Sequence, residues 1–221
     1  MALLIGIIGP SGEGKSTSIR TLNPEETIII GVAGKELPFK GASKMYSLEK
    51  KNYVEISTSK EIVDLLKNIS DKGNHVKNIV IDDIQYVMGF EFMKRATEIG
   101  YTKFSQIGQN MFNILQTARG LRRDLKIFCL GHSEPIEDGG EIVGYQMKTI
   151  GKMLTNNINL EGLFTICLYT YVDEGKNGME YHFLTNRFKK RPAKSPMGMF
   201  DDTLIPNDLK LVSEKIDEYY S

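Results

Sequence analysis

Tryptophan is absent from the 221 residues, cysteine occurs only twice and histidine three times. Cys129 and Cys167 each sit in an apolar run, which excludes a disulfide framework and fits a reducing cytosol. His75, His132 and His182 share no metal-ligand spacing, so zinc is not expected. Neither sign of charge prevails, with 28 Lys and Arg against 28 Asp and Glu. No overall field therefore draws the chain to nucleic acid or anionic lipid, and any such contact must come from a local patch. No run approaches the roughly 18 apolar residues that a membrane span needs. The opening MALLIGIIG has no basic leader and no small-residue cleavage site, and it runs directly into a glycine-rich stretch. It reads as a buried strand rather than a signal peptide, so a cytoplasmic chain is expected.

Hydrophobic residues at 41% and charged residues at 25% are what a globular domain needs, which rules out a disordered or collagen-like chain. Short apolar runs at Leu3–Ile8, Thr27–Ala33, Ile79–Ile81 and Ile127–Leu130 predict buried strands. Helices are expected over Lys15–Leu22, closed by Asn23 and Pro24, behind a Thr58/Glu61 capping box, over Phe90–Ile99 with Gly100 as its stop, and over Phe104–Leu121. Residues 34–53 show no clear period. This alternation implies βαβ units and a parallel sheet. Further strands at Glu141–Lys148, Leu163–Tyr171 and Met179–Thr185 are separated by turns at 138–140 and 173–178, so antiparallel strands are expected at one edge. A last helix, about 207–220 with Asn207 as its cap, packs on the same unit. The expected architecture is α/β: one domain over 1–221 with a mostly parallel central sheet flanked by helices, plus antiparallel hairpin strands from the C-terminal third.

Residues 9–16 read GPSGEGKS, a full match to G-x-x-x-x-G-K-[ST]. Average residue usage gives such a match by chance in about one per cent of chains this long. The context fits as well, because the mechanism requires a strand before the loop and a helix after it. Gly9, Pro10, Ser11, Gly12, Glu13, Gly14, Lys15, Ser16 and Thr17 then form a backbone nest for phosphates at a helix N-terminus. Lys15 is placed to reach the β- and γ-phosphates and the Ser16 hydroxyl to bind Mg²⁺. Asp82, at the carboxyl end of the Ile79–Ile81 strand, supplies the second half of the metal site. Asp83 beside it is a candidate to orient or deprotonate an attacking water. Adjacent strand-end residues point apart, so at most one of the two faces the metal. His132 ends another buried strand, where ligands bind in open α/β sheets, and can contact a γ-phosphate with Ser133 or Glu134 as helpers.

Basic residues concentrate twice. Arg119, Arg122, Arg123 and Lys126 end a helix, where a solvated face explains them. Arg187, Lys189, Lys190, Arg191 and Lys194 lie in a Pro-flanked loop that can touch DNA phosphates, reach a neighbouring subunit's nucleotide, or simply be solvated. Tyr101, Phe104 and Phe112 are expected in the core rather than on a base-stacking surface. Met197 and Met199 are candidates for an apolar contact with a partner subunit.

Several stretches together are more particular than a P-loop: GPSGEGKST at 9–17, KELPFKG at 35–41, IVIDDIQYVM at 79–88, EFMKRA at 91–96, IGQN at 107–110, LGHSE at 130–134, TIGKMLTNNINLEGLFTI at 149–166 and KSPMGMF at 194–200. They resemble the small RecA-like P-loop ATPases of bacteriophages, AAA-type nucleotide-binding proteins whose relatives include single-strand annealing and recombination proteins. The resemblance spans nearly the whole chain. It implies a RecA-like core with the His132 strand between the P-loop strand and the Asp82 strand, ATP with Mg²⁺ as cofactors, and assembly into a ring or filament. It matches Lys15 and Ser16 to the P-loop pair, Asp82 to the metal-binding aspartate, His132 to a polar sensor and Lys194 to a trans-acting basic residue. One departure stands out. The family's catalytic glutamate is expected where this chain reads Gly31-Val32-Ala33-Gly34-Lys35, and Glu36 comes late. Glu36 or Asp83 would have to substitute, and slow hydrolysis is expected.

Three functions fit. The first is a DNA-stimulated ATPase of phage recombination, annealing or replication that binds single-stranded DNA as a homo-oligomer. The second is a nucleotide-gated adaptor, such as a helicase loader, working on phage or host replication proteins. The third is a small nucleotide kinase with residues 187–194 as its lid.

Overall fold

The computed structural model describes residues 1–151, 158–176 and 178–221. Part of the 149–166 segment and one residue of the 173–178 turn lie outside the described residues.

Strand β1 (Leu3–Gly9) leads through the P-loop into a short 3-10 helix, Ser16–Thr21. Then follow β2 (Thr27–Gly31), the single turn α1 (Ala42–Met45), β3 (Tyr53–Glu55), α2 (Ser59–Lys72), β4 (Asn78–Asp82), α3 (Tyr86–Lys94) and α4 (Thr102–Gly120). The remainder comprises β5 (Lys126–Asp138), β6 (Glu141–Met147), a 3-10 turn at Leu160–Leu163, β7 (Ile166–Gly175), β8 (Gly178–Leu184), β9 (Leu204–Pro206) and α5 (Leu209–Tyr220). The sheet order is β3-β2-β4-β5-β1-β7-β8-β9, with β6 paired to the outer half of β5. β5 thus lies between the P-loop strand and the Asp82 strand, as the family resemblance implied. The pairings from β3 to β7 are all parallel, and β8 and β9 add antiparallel to that edge.

The central strands are apolar on both faces because both are covered. Along β5, Ile127 and Cys129 face α2, α3 and α4 through Ile62, Leu66, Val87, Ile107 and Leu115. Phe128 and Leu130 face the other way, onto Ile19 of the P-loop helix and onto Leu209, Val212 and Ile216 of α5. This two-sided packing fixes the carboxyl ends of β1 and β4 beside the middle of β5, in a register that sets Gly9 opposite His132. β5 does not end at His132 as expected but runs on to Asp138 in the hairpin with β6.

Several expectations need correction. The helix expected over Lys15–Leu22 is only the 3-10 turn. Its hydroxyl side chains compete for its own carbonyls, Ser18 Oγ donating to Lys15 O at 2.5 Å and Thr21 Oγ1 to Ser18 O at 3.1 Å. The helix expected over Phe90–Ile99 runs earlier, as α3. The ammonium of Lys103 takes the carbonyls of Arg95, Ala96 and Glu98 at 3.2, 3.3 and 2.7 Å, which closes that helix well before Gly100. The cap of α5 is Asp208, which accepts from Leu211 N at 3.0 Å, and not Asn207, which is buried against the P-loop. The strand over Leu163–Tyr171 starts later, and as β7 it is parallel to β1 rather than antiparallel. Tyr101 is 88% exposed, not core, while Phe104 and Phe112 are half-buried. Met199 is buried in the core and Met197 projects into solvent. The Thr58 cap does form, accepting from Glu61 N at 3.4 Å. Among the described residues no helix is long and apolar enough to cross a membrane.

Candidate functional site

β1 ends at Gly9, where the side chain of Thr170 leaves no room for a Cβ. A Cβ on Gly9 would lie 1.7 Å from Thr170 Oγ1 of β7. Gly12 and Gly14 then adopt φ of +82° and +84°, the left-handed conformation that lets successive N–H groups turn to one side. Lys15 is buried at 5% exposure, and its Nζ donates to Gly9 O at 2.8 Å and Pro10 O at 2.7 Å. Burial lowers its pKa, against the opposing pull of Asp83, Asp82 and Glu13. The ammonium is therefore held by two neutral carbonyls, partners that an anion can displace.

Ser16 and Asp82 meet across 66 residues of sequence, Ser16 Oγ donating to Asp82 Oδ1 at 2.8 Å. Burial, with the charge of Asp83 beside it, pushes the Asp82 carboxyl up to about 6. A half-buried carboxylate next to a hydroxyl is a donor set that suits a hard divalent cation, whose charge would favour the ionised form. Asp83 lies just past β4 at φ +60°, a left-handed turn rather than an extended strand residue, and has partners of its own. Its Oδ1 lies 3.1 Å from His132 Nε2 and its Oδ2 accepts from Lys35 Nζ at 2.7 Å. Burial would raise the Asp83 carboxyl, but these two hydrogen bonds outweigh it and hold it well below the usual carboxylate range. A carboxylate held so low is a weak base. The His132 backbone N–H donates to Gln85 Oε1 at 3.2 Å, and its ring packs edge-on to Tyr86 with centroids 6.0 Å apart.

Ser11, Gly12, Gly14, Lys15, Ser16, Thr17, Glu36, Asp82, Asp83 and His132 line one cavity of about 360 Å³, together with Lys35 and Pro38. The elements thus bring together the P-loop, both aspartates, His132 and the exposed Glu36. A larger cavity, about 580 Å³, lies at the opposite end of the sheet between Leu3 and Ile216 of α5; it carries no convergent constellation of this kind. Ser133 and Glu134 run on into the β5–β6 hairpin, where Glu134 Oε1 accepts from Gln146 Nε2 at 3.1 Å.

The late basic loop does not act as one group. Arg187, Lys189 and Lys190 are exposed, although Lys189 Nζ donates to Tyr171 OH and Lys190 Nζ to Ile142 O of the hairpin. Arg191 turns inward, its Nη2 3.1 Å from Glu13 Oε1, with its guanidinium over the rings of Tyr145 and Tyr171 at 5.2 and 5.6 Å. Glu13 Oε2 in turn accepts from Thr170 Oγ1 at 2.7 Å. Lys194 pairs through its backbone with Cys167, and its charge acts on buried Glu161. Sequence reasoning missed Lys35, Gln85 and Thr170, which no motif spacing singles out.

No protein-family model matches the chain, and no curated protein matches it. Among solved structures it is similar to a KaiC-like protein from the hyperthermophilic archaeon Pyrococcus horikoshii. The TM-score is 0.51 at 10% identity, over 92% of this chain and 88% of that one. At that identity the likeness shows the fold, an α/β RecA-like arrangement with a mostly parallel sheet between helices.

Proposed function

We propose that the chain is a RecA-like ATPase that binds Mg-ATP at the P-loop and hydrolyses it. The observation that carries this reading is the Ser16–Asp82 hydrogen bond at the mouth of the loop that also holds Lys15. In the proposed site Lys15 exchanges its two carbonyl partners for the β- and γ-phosphates, and the N–H groups of residues 12–17 hold the phosphate chain. Ser16 and Asp82 hold the Mg²⁺, which when bound offsets charge on the β- and γ-phosphates. Asp83 orients His132, and His132 contacts the terminal phosphate. Glu36, exposed on the cavity wall, is assigned the proton of the attacking water.

The assigned target is single-stranded DNA in phage recombination, annealing or replication, engaged by a homo-oligomer. The exposed Arg187, Lys189 and Lys190 beside the β5–β6 hairpin support phosphate contacts of this kind. One observation favours a second reading, a nucleotide-gated adaptor for phage or host replication proteins: β2 ends in Gly31 with no glutamate following directly. The kinase reading has no such support, since residues 189–191 are bonded back onto the hairpin, β7 and the P-loop rather than standing open as a lid.

Hydrolysis of ATP with Mg²⁺, with and without single-stranded DNA at two salt concentrations, separates the two readings. Stimulation that fades with salt is expected for the DNA-directed ATPase. Nucleotide binding with no DNA effect favours the adaptor.

A further inference from the structure

We propose that Lys35 recognises the terminal phosphate of a bound nucleoside triphosphate, so that the site tells triphosphate from diphosphate through this residue of its own chain. The inference rests on the nucleotide reading of the same cavity. Among the described residues that line the cavity, Lys15 and Lys35 are the two lysines, and there is no arginine. They are held in opposite ways. Lys15 is buried and bonded to the backbone of its own loop. Lys35 sits on the irregular segment between β2 and α1, with its side chain 60% exposed and its backbone carbonyl fixed by Tyr53 OH at 3.2 Å. Its backbone is anchored, while its exposed ammonium pairs with Asp83 Oδ2 at 2.7 Å, a partner that a phosphate can replace.

The position of Lys35 selects the phosphate it meets. Lys15 and Ser16 approach from the P-loop, whereas Lys35 enters from the far side of β4, over Asp83 and the ring of Tyr86, 5.2 Å from its Nζ. A phosphate must extend past the Ser16–Asp82 pair to touch it. In a chain threaded through the P-loop, only the third phosphate does so, and a diphosphate stops short. Moving the ammonium onto that phosphate leaves Asp83 with its His132 hydrogen bond, so no buried carboxylate is stranded. Arg191, the other cation near the loop, is committed to Glu13 and does not line the cavity. A positive charge for the terminal phosphate is therefore available in cis, without a neighbouring subunit.

The test is the affinity of wild type, Lys35→Ala, Lys35→Arg and Lys15→Ala for Mg-ADP and for a non-hydrolysable Mg-ATP analogue, by titration calorimetry with melting curves as fold controls. One lost charge-assisted hydrogen bond predicts that Lys35→Ala weakens the triphosphate analogue by about 10- to 150-fold and ADP by less than about 2-fold. Lys35→Arg should recover part of the preference. Equal weakening of both nucleotides, or no change in either, overturns the role of Lys35 while leaving the P-loop reading intact. Wild type that binds neither nucleotide overturns both. If Lys35→Ala melts early, Lys35→Gln is read instead by the same ratio.

Discussion

The ion pair between Glu13 and Arg191 ties the glycine-rich loop after β1 to the late basic loop, and it gives a sharp stability prediction. At 3.1 Å, in an effective dielectric of about 20, the gross attraction is about 5 kcal/mol. Most of that is offset by desolvation, since the side chains are only 14% and 19% exposed. Removing one partner leaves the other half-buried. Thr170 still serves Glu13, and Tyr145 and Tyr171 still cover Arg191, so the loss is below that of a fully buried pair. Arg191→Met should therefore cost about 2 kcal/mol, or about 4–8 °C in melting temperature for a chain of this size. Glu13→Gln should cost about 1–2 kcal/mol. The double variant should be less destabilised than the sum of the singles by about 1–2 kcal/mol, read from melting curves and denaturant titrations. Additivity within about 0.5 kcal/mol would refute the coupling. Unchanged stability of Arg191→Met with impaired hydrolysis would instead put Arg191 to work on a neighbouring subunit.

Other consequences are independent of that pair. Gly9→Ala places a methyl 1.7 Å from Thr170 Oγ1, so a large loss of stability is expected, and Thr170→Ala in the same chain should restore part of it; no rescue would deny that the clash is local. Glu161 is buried, and its Oε1 accepts from Met147 N at 2.6 Å and from Tyr169 OH. Burial raises its pKa, so the folded chain holds a proton that the unfolded chain has released, and stability falls as pH rises from about 4.5 upward. The melting temperature of Glu161→Gln relative to wild type should thus increase between pH 5 and pH 8, and a pH-independent difference would contradict this. Asp82→Asn should abolish the Mg²⁺ dependence of nucleotide binding without lowering stability at pH 7, because it relieves a half-buried charge beside Asp83; a clear loss of stability would mean that the Ser16–Asp82 contact is structural.

The part of the site built from strand ends was legible in the sequence. Apolar runs before GPSGEGKS, Asp82 and His132 announce strands buried on both faces, and the sheet then sets these three points side by side. What stayed hidden depends on contacts with no sequence period. The Lys103 ammonium ends α3 from 8 residues beyond Arg95, and Thr170 fits Gly9 from β7. Lys35 reaches Asp83 over 48 residues from a segment with no repeating pattern. The basic cluster at 187–194 reads as one patch because sequence shows charge but not direction. In the fold Arg187, Lys189 and Lys190 face solvent while Arg191 turns to the P-loop. Hydroxyl groups that bond their own helix shortened the turn after Lys15, a local effect that apolar spacing alone does not register.

The central claim is that this P-loop binds Mg-ATP through Lys15. The most direct measurement is calorimetric titration of wild type and Lys15→Ala with Mg-ATP, with melting curves on both. The expected result is saturable binding by wild type and at least about 100-fold weaker binding by the variant. The melting temperatures should be close, because the hydrogen bonds lost are to two carbonyls of a loop. Equal affinity of the two proteins for Mg-ATP, or no binding by either, would contradict the account.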